Sequence, residues 1–442
     1  MRFLVLAEQY PWPAVDGYRQ RLEHMIAGLG RVGSVELITI DRHPAGRDSP
    51  SDALADPPAV VTDAVAVPAG TPAGVREWLP GWLSGSMPRR VLMPDWSGVA
   101  AELHERLVSG EPVDLIWYSH VDTWFPLHQV TERAVPQRRD GAHAPATIVD
   151  FDNLENLALR LRRSTPPRLD PGAGAAGKVR TLGRWAVSRG FDLVDERRWD
   201  RTQRACADAV DHVVVCSELD VGRSGCSNVV QIGNGASAPA RPHADRRGLR
   251  GSDPTMFFVG ALDYEPNSEA VEWFVREVLD DVRAAVPAAR LRVVGRGAER
   301  VEWVRGRPGV DLVGPVDDLG EELDRADVSV VPIRVGAGTR LKVVEALANR
   351  LPIVTTAVGC EGIDLVDGVH ALIRDDAAGF AAGCVGLLSD GELRQRMAEA
   401  GAELFERRYD WDGIEAAVAD LALSTISEAR EAQERSRKTA GE

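Results

Sequence analysis

The chain has 442 residues, too many for one ordinary core, so two domains of roughly 200 residues are expected. Its hydrophobic fraction of 44% and charged fraction of 27% fit a soluble globular protein, and no run approaches the ~20 apolar residues that cross a bilayer. A net charge of −15 argues against a nucleic-acid partner. It does not exclude an anionic ligand, because local amides and Arg side chains decide what a cleft binds.

Met1-Arg-Phe-Leu-Val-Leu-Ala runs straight into Glu8, which reads as a first strand and not as a signal peptide. Short apolar runs then alternate with helical patterns. Strands are predicted over 2–7, 35–40, 113–119, 146–150 and 212–216, then over 255–260, 290–295, 310–313, 328–332, 353–355 and 370–373. This order implies βαβ units and parallel sheets, an α/β fold. Residues 42–58 and 164–177 read as mobile surface loops, and 237–254, with three prolines, as a linker. After Tyr409-Asp-Trp-Asp412, the residues Ile414, Ala417, Val418 and Leu421 share one helical face. The charged stretch from 427 onward reads as solvated helix or disordered tail. Cysteines at 206, 216, 226, 360 and 384 form no close pair, so unpaired, mostly buried thiols in a reducing compartment are expected.

The segment Val328 to Ala348 carries the most chemistry. A buried strand passes through Gly336-Ala-Gly338-Thr339 into a helix whose first turn holds Arg340 and Lys342. The glycines permit close backbone approach, Thr339 can cap the helix, and free amides at its positive end favour a phosphate. Glu345 lies near the same end, where a carboxylate can accept from sugar hydroxyls. Phosphate beside polyol means a nucleotide. Taken alone, the segment also fits a tight strand-to-helix turn with an exposed Lys342–Glu345 pair worth little. A second glycine-bearing loop, Gly359-Cys-Glu361-Gly362, ends the next strand, and two such loops in succession suit one ligand at the carboxyl edge of a parallel sheet.

The block from Asp327 to Asp376 resembles the donor-binding signature of the retaining GT-B glycosyltransferases of family four, the glycosyl transferases group 1, in a Gly-x-Gly-Thr-Arg-Leu-Lys variant. Other segments agree in order: Tyr10-Pro-Trp-Pro-Ala-Val-Asp-Gly17 with Arg19 and Arg21, Val213-Val-Val-Cys-Ser-Glu218 with Asn234-Gly235, Phe257 to Asn267, and Leu291-Arg-Val-Val-Gly-Arg-Gly297. The resemblance implies a GT-B fold, two Rossmann-like domains facing each other across a cleft. It places an acceptor-side domain at 1–236, a linker at 237–254, a nucleotide-sugar domain at 255–407, a helix at 408–426 that crosses back to the first domain, and a charged tail at 427–442. An ordinary last helix of the second domain is the other reading of 408–426.

The implied activity is transfer of a sugar from a nucleotide-diphosphate donor, UDP- or GDP-linked, to an acceptor hydroxyl with retention and without metal or cofactor. The acceptor class stays open among sugars, lipid-linked acceptors and small molecules. A cytoplasmic location is expected, with room for a peripheral contact at the inner face of a membrane. His120, Arg340 and Lys342 are the catalytic candidates. Gly17, Arg334, Gly336, Gly338, Thr339, Glu345, Gly359, Glu361 and Gly362 are the donor-side set, and Arg19, Asp150 and Asp152 the acceptor-side set. Asp16-Gly17 is also a common turn pair, His120 also fits a satisfied polar residue, and Asp150-x-Asp152 also has metal-ligand spacing.

Two features depart from the resembled pattern. Ala337 stands where many members carry a first glutamate, and the loop from Gly260 to Asn267 holds no cation, which leaves Arg334, Arg340 and Lys342 to neutralise the diphosphate. A non-transferring relative, serving as a nucleotide-binding partner subunit, is the alternative. A nicotinamide oxidoreductase is excluded, since Gly295-Arg-Gly297 is followed by Arg300 where a third glycine is needed.

Overall fold

The computed structural model describes residues 1–14, 16–41, 57–68, 74–109, 111–134, 143–164, 167, 174–238, 253–316, 318–336, 338 and 340–440. It divides into two compact units, Met1–Gly233 with Ile414–Glu442, and Asn234–Gly413.

The first unit is built on seven strands among the described residues: β1 (Arg2–Ala7), β2 (Ser34–Asp41), β3 (Val61–Pro68), β4 (Leu115–Tyr118), β5 (Ala146–Phe151), β6 (His212–Val215) and β7 (Val229–Gln231). All pair in parallel, in the order β3-β2-β1-β4-β5-β6-β7. Helices cover both faces of such a sheet, so its central strands read as continuous apolar runs, and β4 is buried at every position. The two strands absent from the sequence reading, β3 and β7, lie at the edges. There Thr62 and Asp63 interrupt one and three half-buried residues make up the other, so neither shows an apolar run.

The last helix, Trp411–Ala440, packs on this unit from Ile414 onward. Ile414, Val418, Leu421, Ala422, Ile426 and Ala429 are buried at helical spacing. Ala417, expected on that face, is exposed, because the stripe turns toward Ala419 and Ala422. Glu415 bonds His24 Nδ1 at 2.7 Å and Arg31 Nη2 at 2.6 Å. Thr425 meets His212 at 3.1 Å, and the Gln433 amide donates to the Ala144 carbonyl at 3.0 Å. Residues 427–440 are thus helix.

Ala175–Ala209 forms one long helix, so the loop expected over 164–177 ends before Ala175. The expected loop at 42–58 and the expected linker at 237–254 fall mostly outside the described residues. Asn234 to Ala236, expected to close the first domain, belong to the second unit. The Ala236 amide donates to the Tyr409 carbonyl at 3.0 Å and pairs as a bridge with Asp410.

The second unit repeats the plan with β8 (Thr255–Val259), β9 (Arg290–Val294), β10 (Val310–Gly314), β11 (Val328–Val331), β12 (Ile353–Thr355) and β13 (Ala371–Ile373), ordered β10-β9-β8-β11-β12-β13 and parallel throughout. Its core joins Phe257, Phe258, Val271, Phe274 and Phe380, with Trp273 and Phe380 edge to face at 5.5 Å. Each sheet reverses its winding once, between β1 and β4 and between β8 and β11. In open α/β sheets, ligands gather at the carboxyl ends of the strands flanking such a reversal.

Candidate functional site

In the second unit, β8 leads through Gly260 into the helix Glu265–Trp273, and β11 leads through Gly336 and Gly338 into the helix Leu341–Ala348. Both helices start at the reversal point, and their first turns meet. Lys342 Nζ donates to Asn267 Oδ1 at 2.7 Å and lies 4.4 Å from the centroid of the Phe258 ring. The Asn267 amide donates to the Ala261 carbonyl at 2.9 Å, which fixes its oxygen toward the lysine. Gly260 is required by this contact: a Cβ there would lie 2.8 Å from Lys342 Nζ and 2.8 Å from Asn267 Nδ2.

Burial pushes the Lys342 amine down to about 7, the Arg340 guanidinium pushes the same way, and Glu345 opposes both. Burial raises the Glu345 carboxyl, with Lys342 opposing. Arg340 is buried at the helix N-cap, where its Nη1 donates to the Gly338 carbonyl. Gly336, with φ of 149°, leaves room for that guanidinium, since a Cβ would sit 2.8 Å from Nη2. Two cations therefore share the start of one helix, with Glu345 favouring the charge on Lys342 and Glu361 that on Arg340. An anion placed there would relieve the repulsion and recover the charge that burial disfavours.

The other expected donor-side residues divide. Arg334 is drawn to the far side of the Glu265–Trp273 helix, where it pairs with Glu269 and stacks 5.0 Å from the Trp273 ring. It does not join Arg340 and Lys342. The Gly359 amide donates to Thr356 Oγ1 at 2.8 Å, and a Cβ on Gly359 would lie 2.5 Å from the Val331 carbonyl oxygen, so this glycine serves close packing at the strand ends. Glu361 acts on Arg340 and is half-buried, and Gly362 follows with φ of 80°. Thr339 and Ala337 fall outside the described residues, and no side chain caps the helix that Thr339 was expected to cap.

In the first unit, Glu8 directly follows β1 and His120 lies two residues past β4, both at that sheet's reversal point. His120, Glu8 and Asp122 are all buried. His120 Nδ1 is 3.3 Å from Asp122 Oδ1 and 3.7 Å from Glu8 Oε1, and Nε2 is 3.5 Å from Glu155 Oε1. Arg90 reaches the same carboxylates, at 2.5 Å to Asp122, 3.3 Å to Glu8 and 2.8 Å to Glu155. Burial alone would lower the His120 pKa, but Asp122 and Glu8 raise it, so the ring is held as imidazolium. Burial and Glu8 raise Asp122 in turn. Glu8, His120 and Asp122 could offer a metal three ligand atoms. Arg90 and the imidazolium already supply the positive charge a metal would bring.

Asp150 is buried in a two-pronged pair with Arg21, at 2.7 and 2.9 Å, and the same guanidinium donates to the Ile232 and Gly233 carbonyls at 3.0 and 3.1 Å. That engagement answers the metal-ligand spacing of Asp150 and Asp152: the first carboxylate is committed to arginine, and the second lies 3.9 Å from it. Gly17 opens the helix Gly17–Gly30, capped by Asp16, whose carboxylate accepts from the Arg19 amide at 3.0 Å. The Arg19 side chain turns back to Asp16 at 3.7 Å.

Sequence reasoning missed Glu8, Arg90, Asp122, Glu155 and Asn267. Glu8 and Asp122 were accessible through the reversal-point rule, since each sits within a few residues of a central strand end. Asn267 stands in a stretch that reads as a cation-free loop. Arg90 comes from a single-turn helix, Arg89–Leu92, too short for any periodic signal.

Residues 253–390 match the family model for glycosyl transferases group 1. A phosphatidyl-myo-inositol mannosyltransferase of Mycobacterium leprae is 31% identical over 42% of this chain and 51% of its own length. The chain thus spans about half the length of the curated relatives it matches. Among solved structures, sucrose-phosphate synthase from Thermosynechococcus elongatus superposes with a TM-score of 0.64 at 17% identity, covering 97% of this chain and all of that one. The Anabaena protein HepE, solved in complex with UDP, gives a TM-score of 0.59 at 12% identity, covering 96% of this chain and all of that one. The chain therefore has the GT-B fold, two Rossmann-like domains, and carries over residues 253–390 a domain of the glycosyl transferases group 1 type.

Proposed function

We propose that this protein transfers a sugar from a nucleoside-diphosphate donor to an acceptor hydroxyl, with retention of configuration and without a metal ion. One observation carries the reading: Arg340 and Lys342 sit together at the start of the helix after β11, where burial and the Arg340 charge both push the Lys342 amine down and Asn267 holds that amine at the end of β8, while Glu345 lies one turn further on. A diphosphate seated there takes two fixed charges and the helix amides, and its ribose hydroxyls meet Glu345. As the glycosidic bond breaks, negative charge grows on the leaving diphosphate. Preorganised cations then stabilise the transition state more than the ground state, and one such contact is worth ~3 kcal/mol. The Gly-x-Gly-Thr-Arg-Leu-Lys segment is the sequence form of this arrangement.

UDP and GDP are the donors proposed, with HepE's UDP complex favouring the first. His120 is proposed as a sugar-side group of the first domain, its charge fixed by Asp122, Glu8 and Glu155. The mannosyltransferase relative favours a lipid-linked acceptor, which would bring a cytoplasmic enzyme to the inner face of a membrane. The test is turnover of UDP-glucose, UDP-galactose and GDP-mannose with and without a chelator. Release of diphosphate that persists in chelator and disappears in Lys342→Ala supports the reading. Tight nucleotide binding with no turnover of any donor or acceptor would favour a non-transferring subunit.

A further inference from the structure

The helix Ala175–Ala209 buries Asp192, Asp195, Glu196, Trp199, Gln203 and Cys206 in its second half, and Phe191 at its middle meets Trp82 at 4.9 Å and the Arg89 guanidinium at 5.0 Å. Its first half carries a different face. Val179, Leu182, Ala186 and Leu193, at intervals of three, four and seven, share one face roughly a third of a turn round from those buried residues, and Val187 lies on the outer flank beside Arg180. They are open to solvent: Val179 is 68% exposed, Val187 62%, Leu182 42% and Leu193 38%.

Cations border this stripe on both sides, Lys178 and Arg189 along one edge and Arg180 and Arg184 along the other. Residues 174–191 hold these four cations and no acid, in a chain whose net charge is −15. Among the described residues, Arg180 and Arg184 have no ion-pair partner. The neighbouring arginines of the helix Glu155–Ser164 do: Arg160 and Arg163 pair with Glu196, and Arg162 with Asp192. Arg189 lies 4.4 Å over the Trp185 ring, which adds an aromatic to the basic edge formed with Lys178.

We infer that this half-helix is a docking surface for an anionic lipid bilayer. An outward apolar stripe flanked by basic residues on both sides is the arrangement that lies in a membrane interface, with its aliphatic side chains among acyl chains and its cations at phosphate level. A protein partner needs no such two-sided basic border. The inference extends the lipid-linked branch of the proposed function, yet its test needs neither donor nor acceptor.

The test is co-sedimentation of the full chain with phosphatidylcholine vesicles with and without phosphatidylglycerol, at low and high salt. The surface predicts binding that requires phosphatidylglycerol and weakens with salt. Arg180→Glu with Arg184→Glu, and separately Val179→Asp with Val187→Asp, should each lower the bound fraction at least ~10-fold. All four side chains are exposed, so folding and nucleotide binding should be unchanged and can be checked on the same preparations. No binding to phosphatidylglycerol vesicles at low salt would overturn the inference. So would binding that survives both double variants, or light scattering showing that Val179→Asp with Val187→Asp dissolves a dimer.

Discussion

The amine of Lys342 donates to the side-chain oxygen of Asn267 at 2.7 Å, joining the first turns of the two helices that flank the sheet reversal in the second unit. The bond aims a lysine on the chain after β11 at the strand end of β8. Among the described residues, Lys342 forms no ion pair with Glu345, three residues on along the same helix. An incoming diphosphate can therefore take the free donors of this amine without breaking a carboxylate pair.

Lys342→Ala is expected to lower turnover of the donor by ~100-fold, about 3 kcal/mol, with the fold intact. Asn267→Ala leaves the cation in place but unaimed, so a smaller loss, about tenfold, is expected. Steady-state kinetics on the two variants, with thermal melting as the folding control, checks the order of the effects.

The Lys342 amine titrates at about 7 in the empty site, because burial and Arg340 disfavour its charge. A bound diphosphate restores that charge and raises the pKa. Below about 7 the amine is protonated both free and bound, and affinity is at its full value. Above it, binding must take up a proton, so affinity falls with rising pH until the bound pKa is reached. Titration calorimetry at pH 8 in buffers of different ionisation enthalpy should show uptake of up to one proton in wild type and less in Lys342→Ala. Proton release would contradict the assignment.

Gly260→Ala places a methyl 2.8 Å from both the lysine amine and the Asn267 amide nitrogen. Both are side-chain ends that can move, so little stability should be lost. The expected result is a near-normal melting temperature with nucleotide affinity reduced about tenfold or more.

Asp150 behaves in the structure as the partner of a buried arginine. Asp150→Asn should destabilise the first unit by about 3 kcal/mol, since it takes the two-pronged carboxylate from a buried guanidinium and leaves it Asp152 at 3.9 Å. Urea denaturation measures this. An unchanged midpoint with altered acceptor kinetics would instead make Asp150 an acceptor-side group.

Much of this was legible in the sequence because central parallel strands are buried on both faces and announce themselves as apolar runs. All eleven predicted strands are present, and the two that were missed, β3 and β7, are edge strands with polar or half-buried positions. The glycine turn and its two cations were legible for a related reason, since a strand, a turn and a helix lie consecutively in the chain. The surroundings of His120 were legible only for Glu8 and Asp122, at the ends of central strands. Glu8, Arg90, Asp122 and Glu155 come from four separate elements, and only folding of the sheet brings them to one imidazole. Arg334 shows the converse: near Arg340 in sequence, it is captured by Glu269 across the helix.

The most direct measurement of the central claim is calorimetric titration of UDP and GDP into wild type, Lys342→Ala and Glu345→Ala in chelator. The account predicts that one diphosphate binds the wild type, that Lys342→Ala loses the phosphate-dependent part of the affinity, and that Glu345→Ala loses the ribose contribution. A folded wild type that binds neither diphosphate, or variants that bind as well as wild type, would contradict it.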